Sequence, residues 1–189
     1  AIVLASQSPR RQELLARIGV EDFKTLSLDI DESYPEGLSP EDTVRYIAKK
    51  KCDAAAALCA PDDLIITADT MVFLDNDRLG KPRDEEDALR MLRALSGRGH
   101  TVCTGVSVRR GAQEERFAVS TRVFFRPMTD DEIRAYIKTG EPMDKAGAYG
   151  VQSRGALFVE RIDGDFFNVM GLPVEQLGLV LARFGVKLL

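Results

Sequence analysis

Leu64-Ile65-Ile66-Thr67-Ala68-Asp69-Thr70-Met71-Val72-Phe73 is an almost unbroken apolar run that carries one carboxylate and, next to it, one hydroxyl. A run of this length and composition predicts a strand buried on both faces of a sheet, the pattern of an α/β protein. Asp69 is costly there, because a carboxylate taken out of water without a partner is strongly destabilised or takes up a proton. In open α/β sheets, ligands collect at the carboxyl ends of buried strands. Asp69 therefore reads either as the chemical centre of the chain or as a strand-end residue that caps the next turn.

The chain has 189 residues, 44% of them hydrophobic, enough to bury one sizeable core. Its formal net charge of -4 and pI near 5.2 argue against a broad basic surface for a nucleic-acid polymer. They leave room for a local basic pocket that takes a small anion. No apolar run approaches the ~20 residues that a membrane helix needs, and no secretory-signal pattern is present. Three cysteines without CxxC spacing read as reduced thiols in a cytoplasmic protein. With His100 the only histidine, a His/Cys zinc site is disfavoured. His100 itself is expected to be an ordinary residue at the start of a strand.

The cationic side chains sit in unusual places. After a short strand, Ile2–Ala5, comes Ser6-Gln7-Ser8-Pro9-Arg10-Arg11, with Ser8 suited to a helix N-cap and Pro9 to the first helical position. Arg10 and Arg11 then fall in the first turn, where the helix dipole disfavours cations unless an anion is bound among them. Arginine adds bidentate phosphate contacts, so this turn reads as a phosphate site or, alternatively, as a solvated helix start. Phe23–Leu28 is a second strand candidate, followed by the acidic cluster Asp29-Ile30-Asp31-Glu32, which suits a hard divalent cation or is solvated. A helix over residues 41–59 has the stripe Val44, Ile47, Ala48, Cys52, Ala55, Leu58 and Cys59. Lys51 lies within that stripe, whereas Lys49 and Lys50 point away. A lysine facing the core either snorkels to its edge or meets a buried anion.

Downstream, Phe73–Leu79 predicts a hairpin around Asp75-Asn76-Asp77, delivering Gly80-Lys81-Pro82 to a helix with the stripe Ala88, Met91, Leu92 and Leu95. Thr101–Val108 and Phe117–Phe125 predict an antiparallel pair of half-buried strands. Thr129 and Glu132 form a capping box for a helix to Lys138. Asp144-Lys145-Ala146-Gly147-Ala148-Tyr149-Gly150-Val151-Gln152 combines glycines, an acid, a base and an amide as in a loop that lets backbone approach a ligand. Ala156–Ile162 and Phe166–Val169 are read as strands. A last helix carries Val174, Leu177, Val180, Leu181 and Phe184 on one stripe. Cations for a polyphosphate together with carboxylates for a metal and a water describe phosphoanhydride chemistry. Neither GxxxxGK[ST] nor GxGxxG is present.

Six blocks in order, Ser6–Arg11, Ala68–Thr70, Gly80–Pro82, Leu95–Gly97, Asp144–Gly150 and Gly171–Pro173, resemble the Maf family of nucleoside triphosphate pyrophosphatases, also called septum formation inhibitor proteins. The resemblance covers the chain from Ile2 to the last helix as a single domain. It implies an elongated mixed β-sheet flanked by helices, with two lobes around a nucleotide cleft, as in the related Ham1-type inosine triphosphatases. It implies divalent-metal-dependent hydrolysis of a nucleoside triphosphate to the monophosphate and pyrophosphate, with Mg²⁺ or Mn²⁺ as cofactor and no membrane or nucleic-acid partner. A homodimer is compatible with it. By motif, Asp69 corresponds to the general base and shares the metal with Glu32. Ser8, Arg11, Lys51 and Lys81 correspond to the phosphate-binding set, and Asp144 and Lys145 to further cleft residues. Arg10, Thr70 and Gln152 are similar to the dTTP/UTP-hydrolysing type, and an amide can read a pyrimidine edge with one donor and one acceptor. One departure is Ser153, where the family more often has Gly. Two other functions fit the same residues: a nucleotidyltransferase, and a nucleotide-binding regulator of cell division with little turnover.

Overall fold

The computed structural model describes residues Ala1–Leu189. Seven strands, β1 (Ile2–Leu4), β2 (Phe23–Thr25), β3 (Leu64–Leu74), β4 (Asp77–Leu79), β5 (Gly99–Arg110), β6 (Gln113–Phe125) and β7 (Val159–Asp163), join six helices. These are α1 (Pro9–Arg17), α2 (Pro40–Ala56), α3 (Glu85–Leu95), α4 (Asp130–Lys138), α5 (Phe166–Met170) and α6 (Val174–Arg183). The strands form one mixed sheet in the order β2-β1-β3-β5-β6-β7, with β4 paired to β3. By contacts the chain divides into two compact units. One comprises Ala1–Asp69, Thr104–Val119 and Gly171–Leu189; the other comprises Thr70–Cys103 and Ser120–Met170. No helix is long and apolar enough to cross a membrane.

In the first unit β1 runs parallel to both neighbours, pairing Ile2 with Phe23 and with Leu64. Only three residues pair on each side, which limits β2 to Phe23–Thr25, shorter than the strand expected to reach Leu28. β3 does not stop at Asp69. It continues to Leu74, pairing Val72 with Leu79 and Leu74 with Asp77 in the hairpin to β4, so Asp69 is a mid-strand residue and not a strand-end cap. β1 ends at Leu4 opposite Ile66, and Asp69 lies three residues beyond that point along the strand.

α2 packs against this sheet with Val44, Ile47, Ala48, Cys52 and Ala55 fully buried. It stops at Ala56, so Leu58 is exposed and Cys59 leaves the expected stripe, although Cys59 still packs on the cluster of Ala5, Cys52, Ala55 and Ile65. Two contacts set the spacing of helix and strands. The Thr67 hydroxyl donates to the Ala48 carbonyl at 2.7 Å. At Gly105 of β5, a side chain would run into the Val44 carbonyl and the Arg45 nitrogen, both backbone atoms. The whole stretch Val102–Val108 is buried, because small residues (Cys103, Gly105, Ser107) occupy the positions that the half-buried reading left to solvent.

In the second unit, α3 starts at Asp84, whose side chain accepts from the Asp87 N–H, and α4 starts at the expected capping box of Thr129 and Glu132. Two strand expectations fail here. Residues Arg154–Phe158 form a 3-10 turn, and β7 starts only at Val159, where pairing with β6 begins. Phe166–Met170 is a helix: Asp165 accepts from the N–H groups of Phe167 (2.8 Å) and Asn168 (3.2 Å), acting as a helix cap. The buried Asn168 amide then donates to Val102 O and to Thr121 Oγ1, which ties this helix to β5 and β6.

Gly105→Ala forces α2 away from β5, since the obstruction is backbone and cannot rotate aside. Urea unfolding is expected to show a loss of about 3 kcal/mol; wild-type stability would mean that the helix moves at no cost.

Candidate active site

Thr67 and Asp69, two apart on β3, project to the same side, toward α2. The Lys51 ammonium meets them there. Its Nζ donates to Ala68 O at 3.0 Å and to Asp69 Oδ1 at 3.2 Å, and pairs with Glu32 Oε1 at 3.4 Å. The side chains of Lys51 and Asp69 are 15% and 9% exposed, whereas Glu32 is 54% exposed, so a buried ion pair has one solvent-facing acid at its edge. Lys49 and Lys50 turn outward, to Asp53 and to the Ser33 carbonyl. In the acidic cluster only Glu32 reaches this centre; Asp31 is engaged locally by the N–H and hydroxyl of Ser33.

Burial pushes the Asp69 carboxyl above its ordinary pKa, and the positive charges of Lys51 and Arg11 only partly offset it. Asp69 Oδ2 is buried and has no hydrogen-bond partner. A carboxylate oxygen in this position is rare unless something outside the chain bonds to it.

The α1 start lies in the same unit. Ser8 Oγ accepts from the Arg11 N–H at 3.3 Å, Ser6 Oγ accepts from the Ser8 N–H at 3.2 Å, and no acid occupies the first turn. Arg11 does not extend into solvent. Its Nε donates to Gly171 O at 2.7 Å and its Nη1 approaches Ser6 Oγ at 3.4 Å. Burial lowers the pKa of its guanidinium, with Asp69 acting in the opposite direction. Arg10 is half-buried next to it. Asp69, Lys51, Glu32, Arg11 and Ser8, all expected site residues, are therefore gathered in the first unit. Ser6 and the Gly171 carbonyl join them; the hydroxyl-rich turn hinted at Ser6, but nothing local pointed to a backbone oxygen 160 residues from Arg11.

The other expected residues belong to the second unit. Thr70 follows Asp69 on β3 and is half-buried. Lys81 is exposed beside Gly80, whose carbonyl accepts from the Gly147 N–H at 3.2 Å and so ties the Lys81 turn to the 144–152 loop. Lys145 Nζ bonds Glu141 O and Asp144 Oδ1, both at 2.9 Å. Gln152 is exposed. His100, expected to be ordinary, is fully buried: its Nε2 is 2.7 Å from the Tyr149 hydroxyl, and burial lowers its pKa to about 3. The neutral ring thus anchors the loop at Tyr149.

The profile of the family described as Maf-like protein matches residues 1–184. This chain belongs to the Maf family. A dTTP/UTP pyrophosphatase of Bacillus velezensis is 47% identical to it over 186 residues, 98% of this chain and 97% of that protein. Another, from Pelotomaculum thermopropionicum, is 46% identical over 190 residues, covering 100% and 98%. Among solved structures, a HAM1 protein from Coxiella burnetii is 15% identical with a TM-score of 0.56, covering 96% of this chain and 98% of that one. At that identity the likeness is one of fold, and it agrees with a mixed sheet flanked by helices.

Because the folded-state pKa of Asp69 is raised, the native chain holds a proton that the unfolded chain releases, and stability is lost as pH rises through the raised value. Asp69→Asn removes that loss. In chelator-treated protein the variant is expected to unfold at higher temperature than wild type at pH 7, with the gain vanishing below the ordinary value of 3.8; a gain that persists in acid would locate its cause elsewhere.

Proposed function

We propose that this Maf protein hydrolyses nucleoside triphosphates, dTTP and UTP foremost, to the monophosphate and pyrophosphate. The observation that carries this reading is the unsatisfied, buried Asp69 Oδ2 beside Lys51. Oδ2 is the acceptor for a proton of the attacking water. The water oxygen bonds to the α-phosphorus, the bond to the bridging oxygen breaks, and pyrophosphate leaves with the electron pair. The Lys51 charge favours the ionised form of the carboxylate and so opposes part of the effect of burial. Arg11, whose Nε is fixed on Gly171 O, supplies positive charge for phosphate oxygens, alongside Ser8 and the α1 N-terminus. Lys81 is a further phosphate-binding residue. Arg10, Thr70 and Gln152 select the base, and Asp144 and Lys145 line the loop beside it.

The donor set also fits a divalent cation. No cluster of three acidic, His or Cys residues exists to cage one, but Asp69 with Glu32 supplies two carboxylates, and Mg²⁺ is commonly held by one or two carboxylates plus substrate phosphates. When bound, Mg²⁺ or Mn²⁺ would neutralise charge on the polyphosphate. We further propose that the chain works as one domain in the cytoplasm, consistent with three free cysteines.

Product analysis with dTTP, UTP, CTP, ATP, GTP and 7-methyl-GTP, with and without Mg²⁺ or Mn²⁺, tests the reading. Metal-dependent pyrophosphate release, fastest from dTTP and UTP, is expected; release only in the presence of an acceptor would indicate a nucleotidyltransferase instead. Asp69→Asn should reduce turnover roughly a thousandfold while dTTP binding is kept. If hydrolysis is equal in variant and wild type, another residue is the base.

A further inference from the structure

Gln152 is at the exposed crest of a segment whose two ends are drawn together. A side chain at Gly155 would collide with the Gly150 carbonyl and the Tyr136 hydroxyl, so the backbone at 155 lies directly on that at 150. The group that closes this arch is the carboxylate of Glu141, to which the sequence reading gave no role. Its Oε1 accepts from the Ser153 hydroxyl and from the Arg154 N–H at 3.2 Å. Its Oε2 accepts from the Tyr136 hydroxyl and from the Gly155 N–H at 2.9 Å. The Tyr136 oxygen in turn accepts from the Gly150 N–H at 3.0 Å, and the Tyr136 ring is buried edge-on against Phe158. Burial pushes the Glu141 carboxyl up in pKa, but the donors from Ser153, Tyr136 and the backbone outweigh it and hold it below the usual range. Four donors on one ionised carboxylate thus pin both flanks of the arch and leave only Val151 and Gln152 between them without a bond to it. Ser153 contributes one of the four.

We propose that Glu141 is a positioning residue for base selectivity: by fixing residues 150 and 153–155 it presets the backbone from which the Gln152 amide reads the pyrimidine. A directional pair of hydrogen bonds needs the amide held in one orientation, and a loosened arch would meet any base equally poorly. The inference rests on Gln152 reading the base, so the experiment separates the two.

Steady-state constants for dTTP and GTP would be compared among wild type, Gln152→Ala, Glu141→Gln, Ser153→Gly and the Glu141→Gln/Gln152→Ala double variant. Glu141→Gln turns an –NH₂ toward donors, and is expected to raise KM for dTTP about tenfold, the factor of one lost charge-assisted hydrogen bond. Turnover number and the GTP constants should stay near wild type, and the double variant should select no worse than Gln152→Ala alone. Ser153→Gly, which keeps three of the four donors, should move selectivity the same way by a smaller factor, and it decides the matter if Glu141→Gln fails to fold. If Gln152→Ala collapses dTTP-over-GTP selectivity while neither Ser153→Gly nor a folded Glu141→Gln alters it, Glu141 only supports the fold and the proposal is overturned. If Gln152→Ala itself leaves selectivity unchanged, the base-reading role is wrong and the inference falls with it.

Discussion

The buried contact between the Lys51 ammonium and the Asp69 carboxylate is the constraint around which the first unit is built. Such a pair is poor as a source of stability, because desolvating two charges costs about as much as their attraction returns. The balance at Asp69 shows which term wins: its pKa is raised despite two neighbouring cations. The fold therefore holds a carboxylate at a cost, with one oxygen unsatisfied. That is the state expected of a group that awaits a proton, a cation or a substrate, and not of one that merely completes a core.

The surrounding elements make this arrangement rigid. The Thr67 bond to Ala48 lies one helical turn before Lys51 on α2, and Gly105 admits the α2 backbone close to β5. Lys51 thus arrives at Asp69 from an element whose position is fixed by backbone contact. Arg11 receives a comparable anchor from Gly171 O, which directs part of its guanidinium and would lessen the entropy cost of binding an anion. In both cases a long, flexible cation has been partly ordered in advance.

The second unit achieves order differently, through irregular backbone. The 144–155 segment contains little regular structure, yet it is fastened at Gly147 to Gly80, at Tyr149 to His100 and at residues 150 and 153–155 to Tyr136 and Glu141. A loop with so many fixed points behaves as part of the scaffold, which would suit the base-reading role proposed for it.

Residues acting through local periodicity or capping were legible in the sequence by itself. The apolar run at 64–73 marked the central strand, the stripe of α2 turned Lys51 inward, and Ser8 and Thr129 marked helix starts, because caps and faces depend on neighbours within a turn or two. The resemblance raised the expectation that Asp69, Glu32 and Arg11 act together, and Lys51 and Arg11 do bring their charges to Asp69, with Glu32 at the edge of the pair. Only the tertiary structure decided that Asp69 lies mid-strand, since strand length is set by pairing with β4, and that Phe166–Met170 is a helix, since a capping Asp165 and the buried bonds of Asn168 override its apolar, strand-like composition. Glu141, His100 and the Gly171 carbonyl were invisible for the same reason. Each acts through hydrogen bonds to residues that are remote along the chain or held in irregular backbone, and no repeat, propensity or spacing records which distant donor a carboxylate, a ring nitrogen or a carbonyl oxygen will meet.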